Sequence, residues 1–141
     1  MLRRVELYSL WLGNAADAND LRGLLNLGIS AIVDLAANEK PPLITRDLIY
    51  CRFPILDGSG NPEWLLRAAI STTTKLIQAN APTLVFCSAG ISRTPAIVAA
   101  SLSQLGDRTA EEWLLALKQI GPCDVSPALW SEITDALNPE P

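Results

Sequence analysis

The chain has 141 residues, 49% of them hydrophobic, and a net charge of −4, which fits one globular domain over residues 1–141 with a real core. The acidic balance argues against general affinity for nucleic acid or anionic membrane, and against very highly charged substrates. With no histidine and three cysteines outside any Cys-x-x-Cys spacing, a zinc site lacks its ligands and no metal is expected.

Val5 to Leu12 alternates and is rich in apolar and aromatic residues, which predicts one or two short strands closed by the turn residues Gly13-Asn14. Glu6 breaks any apolar leader after Arg3 and Arg4, and no apolar run approaches the roughly 18 residues of a membrane span. A soluble, cytoplasmic, monomeric protein with reduced thiols is expected. Asp17 or Asn19 is expected to cap a helix through Leu21, Leu24, Leu25 and Leu27, ended by Gly28. Ile29 to Leu35 is a near-continuous apolar strand, as a sheet covered on both faces requires. After the loop Asn38 to Pro42, a second β-like run spans Leu48 to Leu56 and stops at Asp57-Gly58-Ser59-Gly60-Asn61-Pro62.

Asn61 as cap and Pro62 as first helical residue predict a helix through Trp64, Leu66, Ile70 and Ile77. Thr83 to Cys87 reads as a buried strand, and residues 93–105 as a central helix that tolerates Pro95 in its first turn. Thr109 with Glu112 is a capping box for the helix of Trp113 and Leu117. Ser126-Pro127 opens a last helix through Leu129, Trp130, Ile133 and Leu137. Strands alternating with helices predict an α/β fold with a mainly parallel sheet of about four to five strands flanked by helices.

The chemistry concentrates between the strand and the central helix, in Cys87-Ser88-Ala89-Gly90-Ile91-Ser92-Arg93-Thr94. A helix N-terminus has unpaired N–H groups and the positive end of a dipole, so it collects anions. An arginine at the first helical position adds a planar fork matched to two phosphate oxygens. The same field favours the thiolate of Cys87, which is the nucleophilic form. A Cys and an Arg six apart also arise by chance, and a strand-end cysteine is commonly inert core; here the glycine-bearing loop and the helix supply the context.

The segment Val85-Phe86-Cys87-Ser88-Ala89-Gly90-Ile91-Ser92-Arg93-Thr94 resembles the Val-His-Cys-x-x-Gly-x-Ser-Arg-Ser/Thr core of the dual-specificity protein phosphatases, a branch of the cysteine-dependent phosphatases. The likeness extends to Leu12-Gly13-Asn14, to Leu27-Gly28-Ile29 with the strand ending Asp34-Leu35, to Ile55-Leu56-Asp57 and to Val125-Ser126-Pro127. The resemblance implies a cysteine-phosphatase fold and hydrolysis of phosphate monoesters on phosphotyrosine, phosphoserine or phosphothreonine substrates, or on small esters, with no cofactor. It implies Cys87 as the nucleophile that becomes phosphocysteine. The N–H groups of Ser88, Ala89, Gly90, Ile91, Ser92 and Arg93 would bind the phosphoryl oxygens, with Arg93 bidentate. Asp57 would be the general acid and base, and Thr94 a hydroxyl that hydrogen-bonds Cys87 and eases its departure.

Other readings stand beside these. Asp57 before Gly is also an ordinary turn residue, and Asp34 at a strand end is a weaker candidate that usually makes structural hydrogen bonds. Cys51 is a core cysteine or a disulfide partner of Cys87, and Cys123 has no assigned role. Phe86 stands where the family has histidine, which there orders the loop and favours the thiolate; a phenyl ring next to Cys87 is expected to desolvate the thiol and weaken the enzyme. That substitution motivates a second function, a phosphate-recognition module without turnover, although binding alone needs neither Cys87 nor Asp57. Arsenate reduction or sulfur transfer is a third. Ser88, Ala89, Ile91 and Ser92 include no lysine, which disfavours polyphosphorylated inositide head groups.

Overall fold

The computed structural model describes residues 2–45 and 47–138. In chain order it forms β1 (Arg3–Arg4), β2 (Leu10–Asn14), α1 (Ala15–Ala18), α2 (Leu21–Asn26), β3 (Ala31–Asp34), β4 (Ile49–Arg52), α3 (Glu63–Gln78), β5 (Thr83–Cys87), α4 (Arg93–Ser103), α5 (Ala110–Lys118) and α6 (Pro127–Leu137). The strands make a single five-stranded sheet in the order β1-β2-β5-β3-β4. Only β1 runs antiparallel; β2, β5, β3 and β4 are parallel neighbours. The expected α/β architecture is therefore the observed one, with β5 in the middle.

All five residues of β5 are buried, as expected of a strand covered on both faces. Successive side chains of a strand point to opposite faces, and β5 obeys this: Val85 and Cys87 join the core formed with α3, α4, α5 and α6. Leu84 and Phe86 join a smaller core with Ala18, Leu24, Ile32 and Leu48 on the other face. Helix α4 is buried from Arg93 through Leu102, so its apolar surroundings place it centrally, as its composition predicts. Parallel strands all end at one edge of the sheet, and the crevice beyond that edge is where open α/β sheets bind ligands.

Four local expectations are corrected. Asn14, not Asp17 or Asn19, caps the first helix: its side chain accepts from Asp17 N while Asp17 accepts from Asn14 N. Asn19 then ends that helix and Asp20 caps a second one, so the expected single helix is two. The strand expected over Leu48 to Leu56 pairs only over Ile49–Arg52, because its partner β3 ends at Asp34 and Pro54 has no N–H to extend the ladder. Asn61 does not cap α3, whose cap position is Pro62 with no side-chain bond. The Asn61 amide is used in the preceding loop instead, donating to the carbonyls of Leu56 and Gly58.

Candidate active site

Cys87 is the last residue of β5 and is 2% exposed. The chain then turns through 88–92 into α4. Gly90 makes the turn possible, since its φ is +78° and a Cβ there would lie 2.8 Å from the carbonyl oxygen of Gly13. Its N–H donates to Cys87 Sγ at 3.2 Å.

The loop's carbonyls are engaged from behind. Ala15 N–H donates to Ser88 O (3.2 Å), the Arg3 guanidinium to Gly90 O (2.5 Å), Asp124 N–H to Ile91 O (2.7 Å) and Ala96 N–H to Ser92 O (3.1 Å). In a trans peptide the N–H opposes the C=O, so fastening a carbonyl outward aims the next N–H inward. The N–H groups of Ser88, Ala89, Ile91 and Ser92 find no acceptor among the described residues. Ser92 occupies the cap position of α4, yet its hydroxyl makes no capping bond, so the helix N-terminus keeps its affinity for an anion.

Arg93 is 6% exposed and, among the described residues, has no carboxylate partner. Its Nη1 donates to Leu35 O (3.2 Å) and Ile55 O (3.1 Å), just beyond the ends of β3 and β4, and its Nη2 to Ser88 Oγ (3.1 Å). Nε is buried with no partner among the described residues. The Nε–Nη2 edge therefore remains for an acceptor with two oxygens, the geometry of a phosphoryl group. A buried guanidinium lacking a counter-charge is costly, and a bound anion removes that cost.

Asp57 is exposed on the loop after β4 and is joined to the anion loop by one bond, Ser92 Oγ donating to Asp57 Oδ1 at 2.6 Å. Ser92 Oγ in turn accepts from Ser126 N–H at 2.9 Å. Glu132 on α6 fixes the far end of the Asp57 loop, accepting from Gly60 N–H (2.8 Å), Asn61 N–H (3.1 Å) and the Asn61 amide (3.1 Å). The Gly60 bond is the largest influence holding the Glu132 carboxyl below its ordinary range, with both Asn61 bonds assisting and burial opposing.

Thr94 is fully buried and its hydroxyl has no partner among the described residues. The hydrogen bond to Cys87 expected of it is not formed; Gly90 N–H holds that position. Asp34 follows its structural reading. It accepts from Ala36 N–H (2.8 Å) and from the Tyr50 hydroxyl and lies 3.8 Å from Arg52. Burial first, then the bond to Asp34 and its charge, push the Tyr50 hydroxyl up to about 12, against the opposing Arg52. Arg52 also donates to Ala36 O and Glu39 O, shaping the loop whose Asn38 accepts from Ser88 Oγ at 2.9 Å.

Cys51 cannot pair with Cys87 in this sheet. Strand β3 lies between their strands, so they stand two strand spacings apart, roughly 9.5 Å, beyond the Cα separation of about 7 Å that a disulfide spans. The phenyl ring of Phe86 does not lie beside the thiol, because it packs on the opposite face of the sheet; the expected desolvation of Cys87 by that ring is corrected accordingly. Sequence reasoning missed Arg3, Asn38 and Glu132, which lie 87, 50 and at least 71 residues from the partners they hold. No local pattern could have pointed to them.

A family model described as the dual specificity phosphatase catalytic domain matches residues 10–136. Human dual specificity protein phosphatase 15 is 32% identical over 118 residues, covering 79% of this chain and 38% of that protein. Human dual specificity protein phosphatase 9 is 34% identical over 99 residues, covering 68% of this chain and 26% of its own length. The chain thus spans well under half of either relative. The crystal structure of human DUSP28 superposes with a TM-score of 0.83 at 21% identity, covering 98% of this chain and 96% of that one.

Proposed function

The chain belongs to the dual-specificity phosphatase family, and on that premise we propose that it hydrolyses phosphate monoesters, through a phosphocysteine intermediate, on phosphoprotein substrates. The observation that carries this reading is Arg93: a buried guanidinium with an unpartnered Nε, opening the helix that follows a loop of inward N–H groups and a buried cysteine.

In the first step Cys87 Sγ attacks phosphorus, the Sγ–P bond forms and the ester P–O bond breaks. Asp57 protonates the leaving oxygen. A water then attacks phosphorus and gives its proton to Asp57, and the Sγ–P bond breaks to release inorganic phosphate. The loop N–H groups and Arg93 hold the equatorial oxygens through both steps. Thr94, with its hydroxyl unengaged, is assigned the family role of easing the thiolate's departure. The exposed positions of Ala89 and Asp57 suit a phosphorylated side chain presented on a protein, and the lysine-free loop suits a single phosphate. The protein is read as a cytoplasmic monomer.

The test is a steady-state assay with an aryl phosphate, comparing the wild type with Cys87→Ser. Metal-independent turnover that vanishes in Cys87→Ser is expected. Undiminished hydrolysis by that variant, or loss of wild-type activity on adding a chelator, overturns the mechanism. Phosphate binding by the wild type without any turnover assigns the recognition function instead.

A further inference from the structure

Arg3 is 7% exposed, and among the described residues no carboxylate lies within salt-bridge distance of it. Its guanidinium donates to Gly90 O (2.5 Å) and Pro122 O (2.8 Å), and lies 3.9 Å from Cys123 Sγ. The segment around it has no room for another side chain, since a Cβ on Gly121 would lie 2.0 Å from Arg3 Cδ. A two-residue edge strand thus delivers a full positive charge, buried and without a counter-ion among the described residues, to the back of the anion loop.

We propose that Arg3 is a positioning residue of the active site, holding the Gly90–Ile91 peptide with its N–H inward and adding a fixed positive charge behind the phosphoryl group. The proposal rests on the reading of this loop as a phosphate site. Of the peptides whose carbonyls are fastened from behind, Ser88–Ala89, Gly90–Ile91, Ile91–Ser92 and Ser92–Arg93, only Gly90–Ile91 is held by an ion. A charge donating to the carbonyl polarises the peptide in the direction that strengthens its N–H as a donor. A purely structural anchor has no need of the charge, and burying it costs free energy that neutral donors avoid. A phosphate dianion or a thiolate across the peptide recovers that cost. Arg3 so supplies from behind the loop the ordering and the charge that Phe86, facing the other core, does not.

The experiment compares the wild type with Arg3→Gln, which retains donors but not the charge, and with Arg3→Met, which retains neither. The readouts are inhibition by inorganic phosphate, the ratio of Cys87 alkylation rates by anionic iodoacetate and neutral iodoacetamide at fixed pH, and Tm. For Arg3→Gln we expect phosphate inhibition weakened on the order of tenfold, the size of one unit charge acting across a peptide's width at an intermediate dielectric. The iodoacetate preference should fall with it, and Tm should stay near that of the wild type. Arg3→Met should do the same with a lower Tm. Unchanged phosphate inhibition and alkylation ratio in folded Arg3→Gln overturn the proposal, as does failure of both variants to fold, which assigns Arg3 to the fold alone. A wild type that neither binds phosphate nor turns over an ester overturns the underlying reading instead, so the two failures are distinct.

Discussion

The anion loop, 88–92, and the acid loop, 57–62, meet at one hydrogen bond between Ser92 and Asp57, yet they are held in different ways. The anion loop is fastened through its backbone carbonyls by donors on α1, α4, the segment before α6 and the buried Arg3. Backbone geometry of that kind is fixed before any ligand arrives, as electrostatic preorganisation requires. The acid loop is closed by side chains at the surface, Asn61 across its base and Glu132 from α6. On the proposed mechanism the nucleophile and its oxygen-binding cup need fixed geometry, whereas an acid that gives and takes a proton needs contact with water. Damage to the first loop should therefore cost turnover on every substrate, and damage to the second should depend on how much help the leaving group needs.

The sharpest test of the rigid half is Arg93→Lys. Lysine offers a point charge in place of the fork and cannot reproduce the bonds to Leu35 O, Ile55 O and Ser88 Oγ together. It should lower kcat/KM by ~10²-fold or more, the low end for losing a key oxyanion donor, on activated and unactivated esters alike. A loss confined to poor leaving groups would break the contrast between the loops.

For the acid loop, Asp57→Asn should slow alkyl phosphates such as phosphoserine peptides by ~10²-fold, the lower end for general acid catalysis. Activated aryl phosphates should be slowed far less. Because Asp57 is exposed, its replacement should leave Tm nearly unchanged. Equal slowing of both ester classes, or a large fall in Tm, would return Asp57 to the turn reading.

Glu132→Gln should act more weakly still, loosening the acid loop without touching the cup. A few-fold loss on alkyl phosphates with unchanged phosphate inhibition is expected. The bonds from Gly60 and Asn61 lower the folded-state pKa of Glu132, so its charge contributes stability above the ordinary glutamate value and loses it as pH falls through the depressed one. The Tm difference between wild type and Glu132→Gln should accordingly shrink on acidification through the carboxylate range. A difference that is constant with pH would show that the tie is not ionic.

What the sequence made legible was local. Cys87, Gly90 and Arg93 lie within seven residues, with a buried strand before them and a helix after, and the anion-binding reading of this stretch follows from that order. Thr109 with Glu112, and Ser126 before Pro127, cap their helices as read. The side chains of Asn14, Asn61 and Asp17 each have several backbone N–H groups or carbonyls within reach, and composition does not choose among them. Arg3 was unreadable because an arginine near a chain start looks solvated until the fold puts Gly90 and Pro122 beside it.

Phe86 was misread for a geometric reason, and it yields the smallest expected effect on chemistry. Its neighbour in sequence is Cys87, but in a strand that adjacency places the two side chains on opposite faces. Phe86 is 1% exposed among Leu84, Ile32 and Ala36, where an imidazole would lose apolar packing and bury a polar ring. Phe86→His should therefore destabilise the fold by about 2 kcal/mol or more, lowering Tm by roughly 8 °C at this chain length. Turnover per folded molecule and the pH dependence of Cys87 alkylation by iodoacetate should remain those of the wild type, because the cup is ordered by Gly90, Arg93 and the donors behind the carbonyls. If the acid limb of the pH–rate profile instead moves to lower pH in Phe86→His, the position before the cysteine governs the thiolate after all. The rigidity of the anion loop would then not be self-sufficient, and the contrast with the acid loop would lose its basis.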